Sequence, residues 1–192
     1  CAGGATTTIY PNSGPQEACY ILADSESSVL FVDSSANLAK ALGNDDVDEH
    51  LRHIVIFDDD RQLNHVDDDR VITMDELVAM GRRALAQDPD LVRRTIDAIQ
   101  PSDLATIMYT SGTTGNPKGV LYTHRSLMLH ALAGGHGDAF GIGQNDIVLP
   151  IVPMFHANAW GTVHTALLFG AGLAFTGVFN DGASVALTLQ DE

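Results

Sequence analysis

Between residues 107 and 124 the chain reads IMYTSGTTGNPKGVLYTH, and this stretch concentrates groups that suit a polyanion. Gly112 and Gly115 carry no Cβ, so backbone N–H groups there can approach an anion closely. Thr110, Ser111, Thr113 and Thr114 add hydroxyl donors without bulk, and Lys118 ends the run with a mobile point charge. Together these residues read as a cradle for phosphate. A surface turn is the plain alternative, but hairpins usually need only about two to five connecting residues.

Two familiar phosphate or nucleophile motifs fail on this stretch. A Walker-type loop sets Gly before the Lys and Ser or Thr after it, and opens a helix. Here Pro117 precedes Lys118, Gly119 follows, and VLYT continues as a strand pattern. No Ser is flanked by Gly at both second neighbours, so a hydrolase nucleophile elbow is also excluded.

The eight histidines invite a metal reading. His124, His130 and His136 recur every sixth residue, which does not stack them on one helix face, and His156 and His164 are too far apart to chelate locally. His156 differs by context. It ends the run PIVPMF, at the carboxyl end of an expected strand, where open α/β sheets bind ligands; a hydrogen-bonded strand-end histidine is the plain reading. Trp160 follows four residues later and would share a helix face with His156. It either fills core or lines a site.

Around these residues, strand and helix patterns alternate. SGPQEACYILADSES places Pro15 at a first helical position, VLFVD (29–33) reads as a buried strand, and ANLAKALG (36–43) as a helix stopped by Gly43. HIVIF (53–57) is a strand, and Thr73 with Glu76 has capping-box spacing before LVAMGRRAL. LATIMYT (104–110) enters the polar loop as a strand, RSLMLHALAG reads as a helix, DIVLPIV (146–152) as a strand, residues 158–170 as a helix, and GLAF (172–175) as a strand. This alternation predicts an α/β fold, a mostly parallel sheet flanked by helices. The DDD runs at 58–60 and 67–69 do not form a calcium loop, because Leu63 stands where the sixth-position Gly is required; they read as solvated loops.

Composition narrows the function classes. The 192-residue chain is 45% hydrophobic, enough for a packed core, with a formal net charge of −15. That charge argues against nucleic acid or an anionic membrane as the main partner. Lys40 and Lys118 are the only lysines. Cys1 and Cys19 are too few for a disulfide framework, and no secretory signal or membrane-span pattern is visible, so the expectation is a cytoplasmic protein, peripheral to membrane at most. The chain starts at Cys inside a strand pattern, ATTTIYP, and reads as a piece of a longer protein.

YTSGTTGNPKG resembles the signature loop of the adenylate-forming superfamily, which includes acyl-CoA synthetases, luciferases and peptide-synthetase adenylation domains. YILADSESSVLFVD resembles that family's upstream helix–strand unit, and VLPIVPMFHANAWG its downstream segment in fatty-acyl-CoA synthetases. The resemblance implies that residues 1–192 are part of the large N-terminal domain, with the small C-terminal domain absent. It implies a ligase acting in fatty acid metabolism: ATP and a carboxylic acid give acyl-AMP and pyrophosphate, and the thiol of coenzyme A then displaces AMP. In that scheme Thr110, Ser111, Gly112, Thr113, Thr114, Gly115 and Lys118 bind ATP, and Thr110 holds Mg2+. Lys118 and His156 are catalytic, while His156 and Trp160 line the acyl site. The expected partners are these small molecules, and a homodimer is admitted. A luciferase-like or amino-acid-adenylating enzyme and a non-catalytic nucleotide-binding module remain as other readings.

Overall fold

The structure, a computed structural model, describes residues 3–57, 68–110, 115–154, 156–176 and 181–191. The chain divides into two compact units, Cys1–Ile99 with Tyr109–Val120, and Gln100–Met108 with Leu121–Glu192.

The first unit opens with β1 (Thr6–Thr7) and α1 (Pro15–Asp24), whose first turn carries Pro15 where a missing N–H costs nothing. Ala18, Cys19, Ile21 and Leu22 form the buried stripe of α1, at the three- and four-residue spacing of one helix face. Then follow β2 (Val29–Val32), the single-turn helices α2 (Ser35–Leu38) and α3 (Asp45–Asp48), β3 (His53–Ile56) and β4 (Val71–Thr73). β2, β3 and β4 form one sheet in that order, both pairings parallel, with Val32 opposite Ile56 and Ile56 opposite Thr73. Ile54, Val55 and Ile56 on the central strand are fully buried. Ile54 and Ile56, with Leu22, Leu38, Val47 and Leu51 around them, make this unit's core, each such side chain contributing about 1.5–3 kcal/mol by leaving water. Cys19 belongs to this core, its thiol donating to the Lys40 carbonyl at 3.2 Å. Arg70 ties the start of β4 to α3 by ion pairs to Asp68 (2.7 Å) and Asp48 (2.6 Å).

α4 (Met74–Gln87) begins with the capping box expected from sequence. The Glu76 N–H donates to Thr73 Oγ1 at 3.2 Å and the Thr73 N–H to the Glu76 carboxylate at 2.8 Å. α5 (Leu91–Ala98) follows. Two expectations change in this unit. The strand expected over 29–33 forms over Val29–Val32 but is not a buried one: among the described strands β2 is an edge of its sheet, and Val29 and Phe31 are exposed, with Phe31 stacked on Phe57 at 5.9 Å. The helix expected over 36–43 stops at Leu38, because the Lys40 and Ala41 amides bond three residues back and Gly43 turns at φ +74°.

β5 (Leu104–Thr110) and β6 (Lys118–Thr123) join a sheet in the order β1–β5–β6. Only residues 111–117 connect β5 to β6, and a parallel crossover needs about a dozen residues or more, so this neighbouring pair is antiparallel.

In the second unit, α6 (His124–Gly135) packs on α8 (Thr162–Phe169) through Gly134 and Gly135, where a side chain would strike Thr165 and the ring of Phe169. β7 (Ile147–Val148) pairs in parallel with β8 (Gly172–Leu173), and α9 (Gly182–Asp191) comes last. The strand expected over 146–152 is paired only at Ile147 and Val148; two positions beyond it Pro150 has no N–H for a ladder. The helix expected over 158–170 is broken into α7 (Ala157–Trp160) and α8 at Gly161. Among the described residues no helix is long and apolar enough to cross a membrane.

Candidate functional site

In the first unit the polar loop hangs between two strand ends. Thr110 is the last residue of β5 and Lys118 the first of β6, both exposed, and Thr110 Oγ1 lies 3.5 Å from the Lys118 carbonyl. Gly115 sits at φ +86° with open space around it, so conformation and not room is what asks for glycine there. Ser111, Gly112, Thr113 and Thr114 lie outside the described residues. Lys118 opens a strand, and the next helix starts only at His124. The lysine therefore cannot act together with a helix N-terminus as in a Walker-type loop.

His156 and Trp160 belong to the second unit. His156 stands at the N-cap of α7 and is exposed. Asn158 (φ +50°), Ala159 (φ +51°), Trp160 (φ +58°) and Gly161 (φ +70°) then run through the left-handed region. This overturns the shared helix face expected for His156 and Trp160, since one right-handed turn does not connect them. Non-glycine residues reach that conformation at about 1–2 kcal/mol each. Local bonds hold the turn. The Ala159 N–H donates to the His156 carbonyl at 3.0 Å and Thr162 Oγ1 to the Ala159 carbonyl at 2.7 Å. His130 Nε2 lies 3.1 Å from the Trp160 carbonyl, and because a carbonyl only accepts, that nitrogen carries the proton. The His130 ring lies so close over Gly161 that a Cβ there would collide with it.

Beside the turn lies a cavity of about 350 Å³, walled by Met108, Tyr122, Leu127, Phe140 and Trp160, with His130, Asn158 and His164 as its polar groups. Trp160 is 59% exposed and lines the cavity, so it does not fill core. Burial, and after it the neighbouring His130, pushes the His164 imidazole below its ordinary value, and its Nδ1 is enclosed without a hydrogen-bond partner. Sequence reasoning considered His130 and His164 only as metal ligands. No spacing rule links His130 to a carbonyl thirty residues away, and only the fold brings them together. Among the described residues, no group of three His, Cys, Asp or Glu side chains is placed to hold a metal.

A profile of the AMP-binding enzyme family matches residues 1–191. The chain is similar to a medium-chain-fatty-acid–CoA ligase of Ectopseudomonas oleovorans, 32% identical over all of this chain and 33% of the relative. It is 36% identical to a 3-methylmercaptopropionyl-CoA ligase of Ruegeria pomeroyi, over 92% of this chain and 31% of that protein. A long-chain-fatty-acid–CoA ligase of Thermus thermophilus is 33% identical over 99% of this chain and 32% of its own length. The chain thus spans about a third of the length of these relatives. Among solved structures, the N-terminal domain of FACL13 from Mycobacterium tuberculosis superposes with a TM-score of 0.67 at 24% identity, over 95% of this chain and 40% of that one. A red-emitting luciferase of Phrixothrix hirtus superposes at 0.66 and 22% identity, over 98% of this chain and 34% of the luciferase. At such identities the likeness is one of fold.

Proposed function

Because the chain belongs to the AMP-binding enzyme family, we propose that the protein it represents activates a fatty or related carboxylic acid with ATP and transfers the acyl group to coenzyme A. The carrying observation is the connection between β5 and β6: an antiparallel strand pair brings exposed Thr110 and Lys118 together at one end, with Gly115 between them in sequence in a glycine-favoured conformation. The chain is read as part of the large N-terminal domain; the N-terminal domain of FACL13 supports this.

In the adenylation step an acid carboxylate attacks the α-phosphorus of ATP, a P–O bond to the α-phosphate forms, and pyrophosphate leaves with the electron pair of the broken bond. Two anions must meet, so positioning and charge neutralisation supply most of the rate. Lys118 sits on the β- and γ-phosphates, and the loop hydroxyls and amides of residues 111–115 complete the cradle. Magnesium, when bound with ATP, neutralises phosphate oxygens. The Thr110 hydroxyl fits as one of its oxygen ligands, being exposed and only loosely engaged with the Lys118 carbonyl. His156 borders the acid carboxylate and the α-phosphate, where an imidazole can hold the developing charge. Trp160 forms one wall of the acyl site, and the cavity beside it, with its mostly apolar lining, supports this. In the second step the coenzyme A thiolate attacks the acyl carbon and AMP leaves.

Pyrophosphate exchange in the complete protein, with a panel of fatty acids, short thioether acids and amino acids, tests the reading. Exchange with fatty acids is expected; exchange with amino acids alone would replace the proposed acid by another class. Lys118→Ala is expected to slow adenylation about 10- to 100-fold, ~1.4–2.7 kcal/mol, and to spare acyl transfer from preformed acyl-AMP, because pyrophosphate has by then gone. Equal loss in both half-reactions would refute the phosphate role of Lys118.

A further inference from the structure

We propose that Tyr109 and Asp24 form a tether that positions the mouth of the phosphate loop, which makes both of them positioning residues for adenylation; this rests on the function proposed above. Tyr109 is the residue before Thr110 on β5, and its phenol donates to Asp24 Oδ2 at 2.6 Å. Asp24 is the last residue of α1, eighty-five positions earlier in the chain, and its other oxygen, Oδ1, accepts from the Tyr20 hydroxyl at 3.3 Å.

Strand geometry makes this bond matter for the loop. Successive side chains on β5 point to opposite faces, so a buried Tyr109 puts the exposed Thr110 on the other face. A shift of β5 by one residue would exchange the two, burying the hydroxyl and expelling the ring. Among the described residues, the Thr110 side chain adds little to the ladder against such a shift, since its hydroxyl meets the Lys118 carbonyl only at the 3.5 Å limit. The Tyr109 bond does resist it. At 2.6 Å it lies in the range of charge-assisted O–H to carboxylate bonds, which are about twice as strong as neutral ones.

The other end of the tether is firm. α1 is pinned by Ala18, Cys19, Ile21 and Leu22, all buried, so Asp24 moves only if the first unit's core moves. Burial and then Asp24 push the phenol of Tyr109 far above its ordinary range, so it keeps the shared proton at any working pH. The tether thus carries the rigidity of a packed helix to a strand end whose loop is otherwise built from glycine and small hydroxyl residues.

The test uses the complete protein with Tyr109→Phe, Asp24→Ala and Asp24→Asn. The two half-reactions are assayed separately, alongside amide hydrogen exchange without substrate. Tyr109→Phe and Asp24→Ala are expected to lower the kcat of pyrophosphate exchange about fivefold to tenfold, with acyl transfer from preformed acyl-AMP within about twofold of wild type. Asp24→Asn keeps an acceptor oxygen without the charge and should recover part of the loss. Hydrogen exchange should quicken at Thr110, Lys118 and Gly119 while the amides of β3 keep their protection. Equal loss in both half-reactions, faster exchange spread evenly through the first unit, or no change in either measurement overturns the tether. If the wild-type protein exchanges pyrophosphate with no acid, the proposed function fails, and hydrogen exchange alone then decides the tether.

Discussion

The two candidate site segments bend the backbone into the left-handed region by opposite means. In the loop between β5 and β6, Gly115 takes φ +86°, a conformation its missing side chain makes cheap. In the turn after His156, the residues at φ +50°, +51° and +58° are Asn, Ala and Trp, with glycine only at the fourth place. Gly115 holds its conformation without strain, and the strand end before it is anchored by the Tyr109 bond to Asp24. The turn is strained and is held partly from within, by Thr162 on the Ala159 carbonyl, and partly from α6, by His130 on the Trp160 carbonyl, with Asn158 and Ala159 buried. The first means leaves the bend without strain; the second stores strain that neighbouring bonds offset.

Substitutions at the bends can break this contrast. The largest effect is expected at Gly161→Ala, which adds left-handed strain and drives a methyl into the His130 ring. Together these should cost about 2–4 kcal/mol, read as a lower urea midpoint. Gly115→Ala meets no neighbour and suffers conformational strain alone, so about 1 kcal/mol is expected by the same measurement. A loss as large as that at Gly161 would mean the loop is held as tightly as the turn. Ala159→Gly should move stability by less than about 0.5 kcal/mol, because relief of strain offsets the lost methyl; in an ordinary helix the same change costs about 1 kcal/mol. A full helical penalty there would show that the turn is not strained.

The smallest effect concerns pH. Burial lowers the His164 pKa in the folded state, so the unfolded chain binds its proton first as pH falls. Stability from the neutral imidazole is complete above the ordinary histidine value of about 6.5 and is lost as pH drops from there toward the lowered folded value. His164→Gln should flatten the pH dependence of the urea midpoint in that window. An unchanged slope would place the effect on other groups.

The scaffold was legible wherever a local rule decides. Thr73 and Glu76 cap α4 as their spacing required, Pro15 opens α1, and residues 104–110 form β5 with the expected bounds. Lys118 at a strand start was readable from Pro117 and the β-branched run after Gly119. The turn at 158–160 was not, since no glycine marks those positions and their restraint comes from His130 on another helix. α5 was missed although Asp90 stands at its N-cap, because it is short and follows Pro89 in an acidic stretch read as polar connection. The exposure of β2 escaped notice for a related reason. An apolar run looks the same on an edge as in the centre of a parallel sheet, and only the strand order distinguishes them. Of the site, residue types and loop ends could be read; the cavity partners Phe140, His130 and His164 are brought together by the packing of α6 on α8.

The thiol of Cys19 gives the first unit a chemical clock. It is buried, it donates to the Lys40 carbonyl, and burial followed by Asp48 raises its pKa, so little reactive thiolate exists while α1 is seated. With Cys1 replaced by Ser, a soluble disulfide reagent can modify Cys19 only after α1 lifts off the core. Where reclosure is fast relative to labelling, the observed rate reports the free energy of that opening; where labelling is faster, it reports the opening rate itself. Varying reagent concentration separates the two regimes, and the same assay shows whether a ligand held at the far end of the Asp24–Tyr109 bond slows the lifting of α1.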